Sequence, residues 1–254
     1  MNYELTKSLS VYADGLPVTG FRHARLIGRD ALGLYPMPFT LRLWNLADSD
    51  YYLLKAAKEI SVRHGDSVLA SGMVSDVYRR IVPEGMLTEV VFAAGLRLWE
   101  TPVSLSVEAG VSVSDTVRRI LETSGTGVSL LSFPGDDPVR IRGQAFSGRA
   151  AECVEEALSA AGARGYLTEA GLCVVPAEGL PVSLTLDAEE LLGDPVAVGR
   201  NLLLVRTRTI GWPLGKMISV KWKNGTASGL VTERSVDADN LEGNWQAELL
   251  IEMT

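Results

Sequence analysis

Over the first hundred residues the apolar positions recur mostly every second residue, the period of a strand with one covered face. In "MPFTLRLWNL", Phe39, Leu41 and Leu43 alternate with Thr40, Arg42 and Trp44. "SLSVYADGLPVTGFRHARLIGR" holds a strand, an Asp14-Gly15 turn and a second alternating stretch. "DSDYYLLKAAK" breaks the pattern as a short helix capped by Asp48 or Ser49, with Tyr52, Leu53 and Ala56 on one side. Strands resume in "EISVRHG", "SVLASGMVSDVYRRIV" and "LTEVVFAAGLRLWE", with turns at Gly65-Asp66 and Glu84-Gly85. Hairpins in series, interrupted by one helix, predict a small closed or nearly closed barrel.

From about Thr101 the period lengthens. Ser114 is expected to cap "DTVRRILETSG", where Val117, Ile120 and Leu121 share a face and Gly125 ends the helix. Ser147 is expected to cap "GRAAECVEEALSAAG", with Ala151, Val154, Leu158 and Ala161 as the stripe and Gly162 as the stop. A hairpin, "RGYLTEAG" and "LCVVP", follows. This middle stretch therefore predicts two strand-helix-strand units, and Pro176, Gly179 and Pro181 mark a boundary after it. Strands return in "NLLLVRTRTIG", "KMISVKWKNG", "TASGLVTERSV" and "NWQAELLIEM".

The last strands echo the first. "ISVRHGDSVLASGMVSDV" lies over "ISVKWKNGTASGLVTERS" with one residue deleted, matching Ile60, Ser61, Val62, Ala70, Ser71, Gly72 and Val74 to Ile218, Ser219, Val220, Ala227, Ser228, Gly229 and Val231. An alternating strand precedes each copy. A Glu-Gly turn follows each (Glu84-Gly85, Glu242-Gly243), and then a strand carrying a glutamate (Glu89, Glu248). The short "IGWPLGK" stands where the first copy has its helix. The expected architecture is α+β and mostly β, with two barrel domains of common origin at residues 1–100 and 183–254 and an α/β region at 101–182 between them.

Composition narrows the function classes. Apolar residues make up 46% of the 254 and charged residues 22%, enough for a sizeable core. A net charge of −7 argues against a protein that grips nucleic acid through its phosphates, though an acidic surface lets DNA slide past. The apolar runs are shorter than the roughly 20 residues that span a bilayer, and the start, "MNYELTKSLSVYADG", has no apolar signal core. Cys153 and Cys173 read as small buried thiols in a reducing compartment, and pair only if the fold brings them together.

Catalytic patterns are missing. The two histidines, His23 and His64, lie far apart with no cluster of further ligands, and no G-x-S-x-G elbow occurs. "GWPLGKM" has three residues between its glycines and Met217 where a phosphate loop needs Ser or Thr, so it reads as a turn entering a strand. The pairs Asp136-Asp137, Glu155-Glu156 and Glu189-Glu190 read as solvated faces, and Arg79-Arg80 and Arg118-Arg119 as surface charge. No metal, cofactor or enzyme activity is expected. The five tryptophans (44, 99, 212, 222 and 245) all fall in the two β-regions. Core packing accounts for such residues; Trp99 and Trp245, near the last strand of each copy, alternatively lie at a subunit seam.

Four stretches carry a resemblance. "YPMPFTLRLWNLADSD", "ISVRHGDSVLASGMVSDV", "GRAAECVEEALSAAGARGYLTEAGLCVVP" and "GKMISVKWKNGTASGLVTERSVDADNLEGNWQAELL" together resemble the hub proteins of phage-type tails. That family includes the baseplate hubs of phages Mu and T4, the hub half of the type VI secretion spike, and prophage and pyocin relatives. The resemblance implies two tube-like barrels per chain, so that three chains form a ring with six similar walls. Such a ring joins a sixfold tail tube to a threefold spike. The implied partners are two further copies of the chain, the tail tube protein, the central spike protein and the tape measure protein. DNA passes through without specific binding, and no membrane is involved. The implied location is the tail or baseplate of a virion, with assembly in the host cytoplasm. The chain is short for the family and has no appended lysozyme or extended spike. A closed ring further implies joined strand edges. "LTEVVFAAGL" and "NWQAELLIEM" are the expected edges, which makes Val91, Trp99, Trp245 and Leu250 the candidate interface residues. Two other classes stay open: a peptidoglycan-binding LysM-like module in "LSVEAGVSVSDTVRRILETSG", which lacks the Gly-Asp-Thr-Leu core, and a small polysaccharide-active enzyme, for which no placed acid/base pair is visible.

Overall fold

The structure is a computed structural model and describes residues 7–176, 181–241 and 243–253. Gly179 of the expected boundary and Glu242 of the expected second turn lie outside the described residues. The first strands are β1 (Ser10–Ala13), β2 (Leu16–Val18), β3 (His23–Ala31) and β4 (Pro38–Trp44), followed by helix α1 (Asp48–Ala56). Next come β5 (Glu59–His64), β6 (Ser67–Val82), β7 (Gly85–Ala93) and the short α2 (Leu96–Glu100). The middle holds β8 (Pro102–Val107), α3 (Val113–Ser124), β9 (Leu130–Ser132), β10 (Gln144–Arg149), α4 (Ala150–Ser159), β11 (Arg164–Thr168) and β12 (Gly171–Val175). The last strands are β13 (Leu184–Leu186), β14 (Val196–Ala197), β15 (Leu202–Thr207), β16 (Met217–Trp222), β17 (Gly225–Asp239) and β18 (Trp245–Met253).

The protein is mostly β, but neither end closes into a barrel of its own. One 13-stranded sheet runs β14-β15-β18-β17-β3-β4-β7-β6-β5-β1-β2, with β16 on β17 and β13 on β16. Strand β17 pairs antiparallel with β3 from Glu233↔Ala31 to Asp239↔Arg25, which welds the two ends into one sheet. The core follows the same plan. Leu26, Leu41, Val90 and Phe92 of the first end share a single cluster with Ile218, Val220, Val236, Leu249 and Ile251 of the last. Two separate barrel cores were expected; the β3–β17 pairing gives the two ends a common interior instead.

Within that sheet the two ends repeat one pattern. The strand orders β4-β7-β6-β5 and β15-β18-β17-β16 correspond. Ile60↔Gly72, Ser61↔Ser71 and Val62↔Ala70 in the first are matched by Ile218↔Gly229, Ser219↔Ser228 and Val220↔Ala227 in the second. The repeated glycine has a steric cause. A Cβ on Gly72 would lie 2.2 Å from the Ala93 carbonyl carbon, and one on Gly229 2.4 Å from the Glu252 carbonyl oxygen. Only glycine admits the neighbouring backbone so closely. A bulge then interrupts each ladder, between Val74 and Asp76 in β6 and between Val231 and Glu233 in β17. The bulged residue closes it alike in both: Ser75 Oγ donates to the Val91 carbonyl at 3.0 Å, Thr232 Oγ1 to the Leu250 carbonyl at 3.1 Å.

The middle region has its own core of residues such as Val103, Val117, Ile120, Phe146, Val154 and Leu172, joined by Leu34 and Leu98 from the first end. Its two strand-helix-strand stretches interleave: β8 pairs with β10, and β9 with β12 in parallel. Residues 105–125 thus form the end of β8 and helix α3, packed into this shared core.

Several local expectations change. The α3 cap is Ser112, which accepts from the Asp115 amide, while the Ser114 amide and hydroxyl both donate to Asp137. Helix α4 follows directly on β10 with Arg149 at the cap position, so Ser147 lies in a strand. Helix α1 has Ala47 at its cap, with Asp48 turned to Arg79, and it buries Leu54 and leaves Tyr52 exposed. "LRLWE" is helix α2 rather than strand, since Gly95 adopts a left-handed φ of 75° that ends β7. "GWPLGK" leads into β16 as a turn. Glu155 is half-buried and accepts from the Leu34 amide at 2.6 Å, tying α4 to the loop after β3.

Candidate interaction surface

The chemistry-bearing side chains gather on strand seams. At the β17–β3 weld Arg234, only 7% exposed, donates through Nε and Nη2 to the Asp30 carboxylate at 3.0 and 2.6 Å. Its Nη1 reaches the Trp212 carbonyl at 2.9 Å, and Nη2 also reaches the Leu69 carbonyl at 2.7 Å. A planar fork with this many donors can satisfy four acceptor atoms on three segments at once. Further along the same seam Arg25 grips Asp237 with two bonds, at 2.9 and 3.0 Å. Burial raises the Asp237 carboxyl, but the bonds from Arg25 and Asn244 and the charges of Arg25 and Arg42 outweigh it and hold the group below the usual carboxylate range. The Asp237 bond in turn raises Arg25 against its own burial. His23 completes the row, with Nε2 2.8 Å from Asp239 and its ring stacked on Trp44 at 4.1 Å.

A second set of pairs repeats between the two ends. Arg42 Nε meets Glu89 at 2.8 Å, and Arg206 Nε meets Glu248 at 2.6 Å. These are equivalent positions, since Arg42↔Glu89 and Arg206↔Glu248 are cross-strand neighbours in the corresponding ladders. The environments differ: Glu89 is buried and also held by Arg80 at 2.9 Å, whereas Glu248 is a third exposed and has Arg206. Of the arginines that sequence alone leaves as surface charge, Arg79 meets Asp48 and lies over the Tyr51 ring, Arg80 meets Glu89 and Arg118 meets Asp115, while Arg119 is exposed.

The four expected interface residues separate. Val91 lies on β7 opposite Thr40 and Asp76, and Leu250 on β18 opposite Leu204 and Glu233. Both strands are paired on both sides, so neither is the free edge that was expected; long apolar strands such as these belong inside a sheet. Val91 and Leu250 do hold equivalent positions, each half-buried beside the bulge hydroxyl. Trp99 and Trp245 are not equivalent. Trp99 sits on α2, edge-on to Tyr35 at 4.9 Å and under the Arg149 guanidinium at 4.6 Å. Trp245 begins β18 in the common core, edge-on to His64 at 5.1 Å.

Among the described residues no reactive constellation accompanies these pairs. A cavity of about 590 Å³ opens beside the weld, lined by Asp30, Tyr35, Phe39, Leu69, Tyr166 and Arg234, but the charges at its base already bind each other. Burial, and next the adjacent Cys173, push the Tyr166 hydroxyl up, so it stays protonated. Cys153 and Cys173 are free; burial and then Glu156 and Glu152 push the Cys153 thiol up, away from the reactive thiolate. Among the described residues no three His, Cys, Asp or Glu side chains form a metal-binding group, and no helix is long and apolar enough to cross a membrane.

Neither a protein-family profile nor a curated protein matches the chain. Solved structures do. A tail protein from Neisseria meningitidis superposes with a TM-score of 0.71 at 11% identity, over 96% of this chain and 95% of that one. The 43 kDa tail protein of prophage MuSo2 from Shewanella oneidensis gives 0.70 at 10% identity, over 96% and 97%. A component of the Escherichia coli type VI secretion system, described as similar in structure to bacteriophage T4 tail proteins, gives 0.71 at 12% identity, over 96% and 76%. At these identities the likeness is one of fold: along nearly its whole length the chain has the fold of phage tail and type VI secretion proteins.

Proposed function

We propose that the chain is the structural hub of a phage or phage-derived tail. Three copies close a ring with six similar walls, which joins a sixfold tail tube to a threefold spike and performs no catalysis. The observation that carries this reading is the repeat of strand order, register, glycine, bulge and ion pair in the two ends. A trimer matches a sixfold partner only if each chain presents two equivalent faces. The fold shared with tail proteins supports the setting. On this reading residues 1–100 and 183–254 arose by duplication, 101–182 is the insertion between them, and the middle helices lie outside the ring. The partners are the tail tube, spike and tape measure proteins, and the location is the virion tail.

A conduit for DNA must not hold phosphates, and a basic lining would do so across many contacts. The paired arginines favour a passage that is neutral or acidic: Arg25, Arg42, Arg80 and Arg206 each face a carboxylate within 3.0 Å. The test is a mass in solution. Sedimentation equilibrium is expected to return three times the 27.3 kDa of one chain. A monomer at concentrations well above those of assembly would overturn the ring.

A further inference from the structure

The two repeated hairpins differ in what covers their outer backbone. Beyond its bulge β17 is flanked by β3 through Asp239. The corresponding arm of β6, Asp76–Val82, pairs only with β7, because its other neighbour, β5, ends its pairing at Met73. Equally, β3 has neighbours on both sides, whereas β14, which precedes β15 as β3 precedes β4, pairs with β15 alone. The chain therefore carries one arm without its covering strand and one covering strand without its arm. The two are not paired with each other within the chain, where they lie toward opposite ends of the strand order.

We propose that the bare arm of β6 pairs antiparallel with the β14 segment of a second copy of this chain, as β17 pairs with β3 inside one copy. This rests on the hub reading and names the seam by which its ring closes. The register follows from the repeat. Gly229 takes the place of Gly72 and Val231 that of Val74, so Ser235 falls where Tyr78 does and Asp237 where Arg80 does. Ile27 and Val196 both sit opposite the residue (Thr40, Leu204) that faces Val91 or Leu250. The internal neighbours Asp237↔Ile27 and Ser235↔Arg29 then become Arg80↔Val196 and Tyr78↔Val198 between chains.

The side chains at those positions suit that register. Tyr78 and Val198, 41% and 51% exposed, fall against each other, and Val196 is 56% exposed on the same segment. Exposed aromatic and β-branched residues directly opposite each other are stabilising cross-strand pairs. An uncovered arm of seven residues with Ile81 82% exposed is an edge that proteins otherwise blunt.

Disulfide trapping tests the seam, with Cys173→Ser in every chain. Chains carrying Tyr78→Cys are mixed with chains carrying Val198→Cys, and separately Arg80→Cys with Val196→Cys; all four positions are surface sites. Each mixture is expected to give a two-chain band on a non-reducing gel after mild oxidation, and neither partner alone gives one. Chains with Leu192→Cys in place of Val196→Cys, out of register, are expected to stay uncrosslinked. Ile27→Cys with Asp237→Cys in one chain is the internal control and is expected to crosslink within that chain. A wild-type mass of three chains with neither pair trapped overturns the seam and leaves the hub reading standing. A wild-type mass of one chain overturns both.

Discussion

The unit β4-β7-β6-β5 and the unit β15-β18-β17-β16 share a register, a bulge and a close-approach glycine, yet they sit in different surroundings. The second has its long hairpin covered by β3 and anchored by Arg234; the first has its hairpin bare and touches α1 through Arg79. Glu89 is buried with two arginines, while Glu248 is partly exposed with one. What is repeated is what backbone geometry demands, and what differs is what each unit faces. Two copies of one motif in a single sheet cannot have the same neighbours, so their side chains diverge where the neighbours do.

Substitutions that remove a difference should have the largest effects. Arg234→Ala leaves Asp30 and two backbone carbonyls without their donor at a largely buried site, and is expected to cost about 3 kcal/mol. In a chain of this size that lowers the melting temperature by roughly 10 °C, read by circular dichroism. Its partner test is Arg206→Ala at the exposed pair, expected to cost less than about 1 kcal/mol. Equal losses at the two sites would mean that the weld is no more essential than a surface ion pair.

Next come the shared features, where equal effects are expected. Gly72→Ala and Gly229→Ala each press a methyl onto neighbouring backbone and should each cost about 1–3 kcal/mol. If one is silent in denaturant unfolding, the close approach is not a common requirement. Ser75→Ala and Thr232→Val, which remove the hydroxyl that closes each bulge, should each cost about 1 kcal/mol.

The smallest effect is on acid stability. Asp237 and Asp137 have folded values held below the unfolded carboxylate range. Each therefore adds stability that is present above that range and is lost as the pH falls through the lowered folded value. Asp237→Asn should flatten the acid limb of the melting-temperature profile below about pH 4 while lowering it at neutral pH. A profile that keeps its full acid slope would show that Asp237 is not a source of that slope.

The sequence shows this repeat only in part. "ISV" and "ASG" are visible because Gly72 and Gly229 permit no substitute and the strands beside them are core. The bulges are hidden, since an extra residue shifts the alternation by one and reads as noise. The weld is hidden for another reason: Arg234 meets Asp30 across most of the chain, and no local pattern encodes a pairing of that range. The same blindness made β7 and β18 look like edges, although a strand rich in apolar residues on both faces is more at home between neighbours. At the α3 start the cap is Ser112 rather than the expected Ser114, whose amide and hydroxyl are both bound to Asp137. Of the candidate interface residues, Val91 and Leu250 prove equivalent in the structure, each two residues after the glutamates Glu89 and Glu248, whereas Trp99 and Trp245 do not, since Gly95 turns the chain into α2.

The central claim is that one chain supplies two equivalent walls of a closed ring. Electron microscopy of the purified protein, averaged in projection down the ring axis, tests it most directly. The account predicts six similar wall segments around an open centre, with three larger outer lobes from the middle regions. A particle without a central opening, or one whose wall shows only three segments, would contradict it.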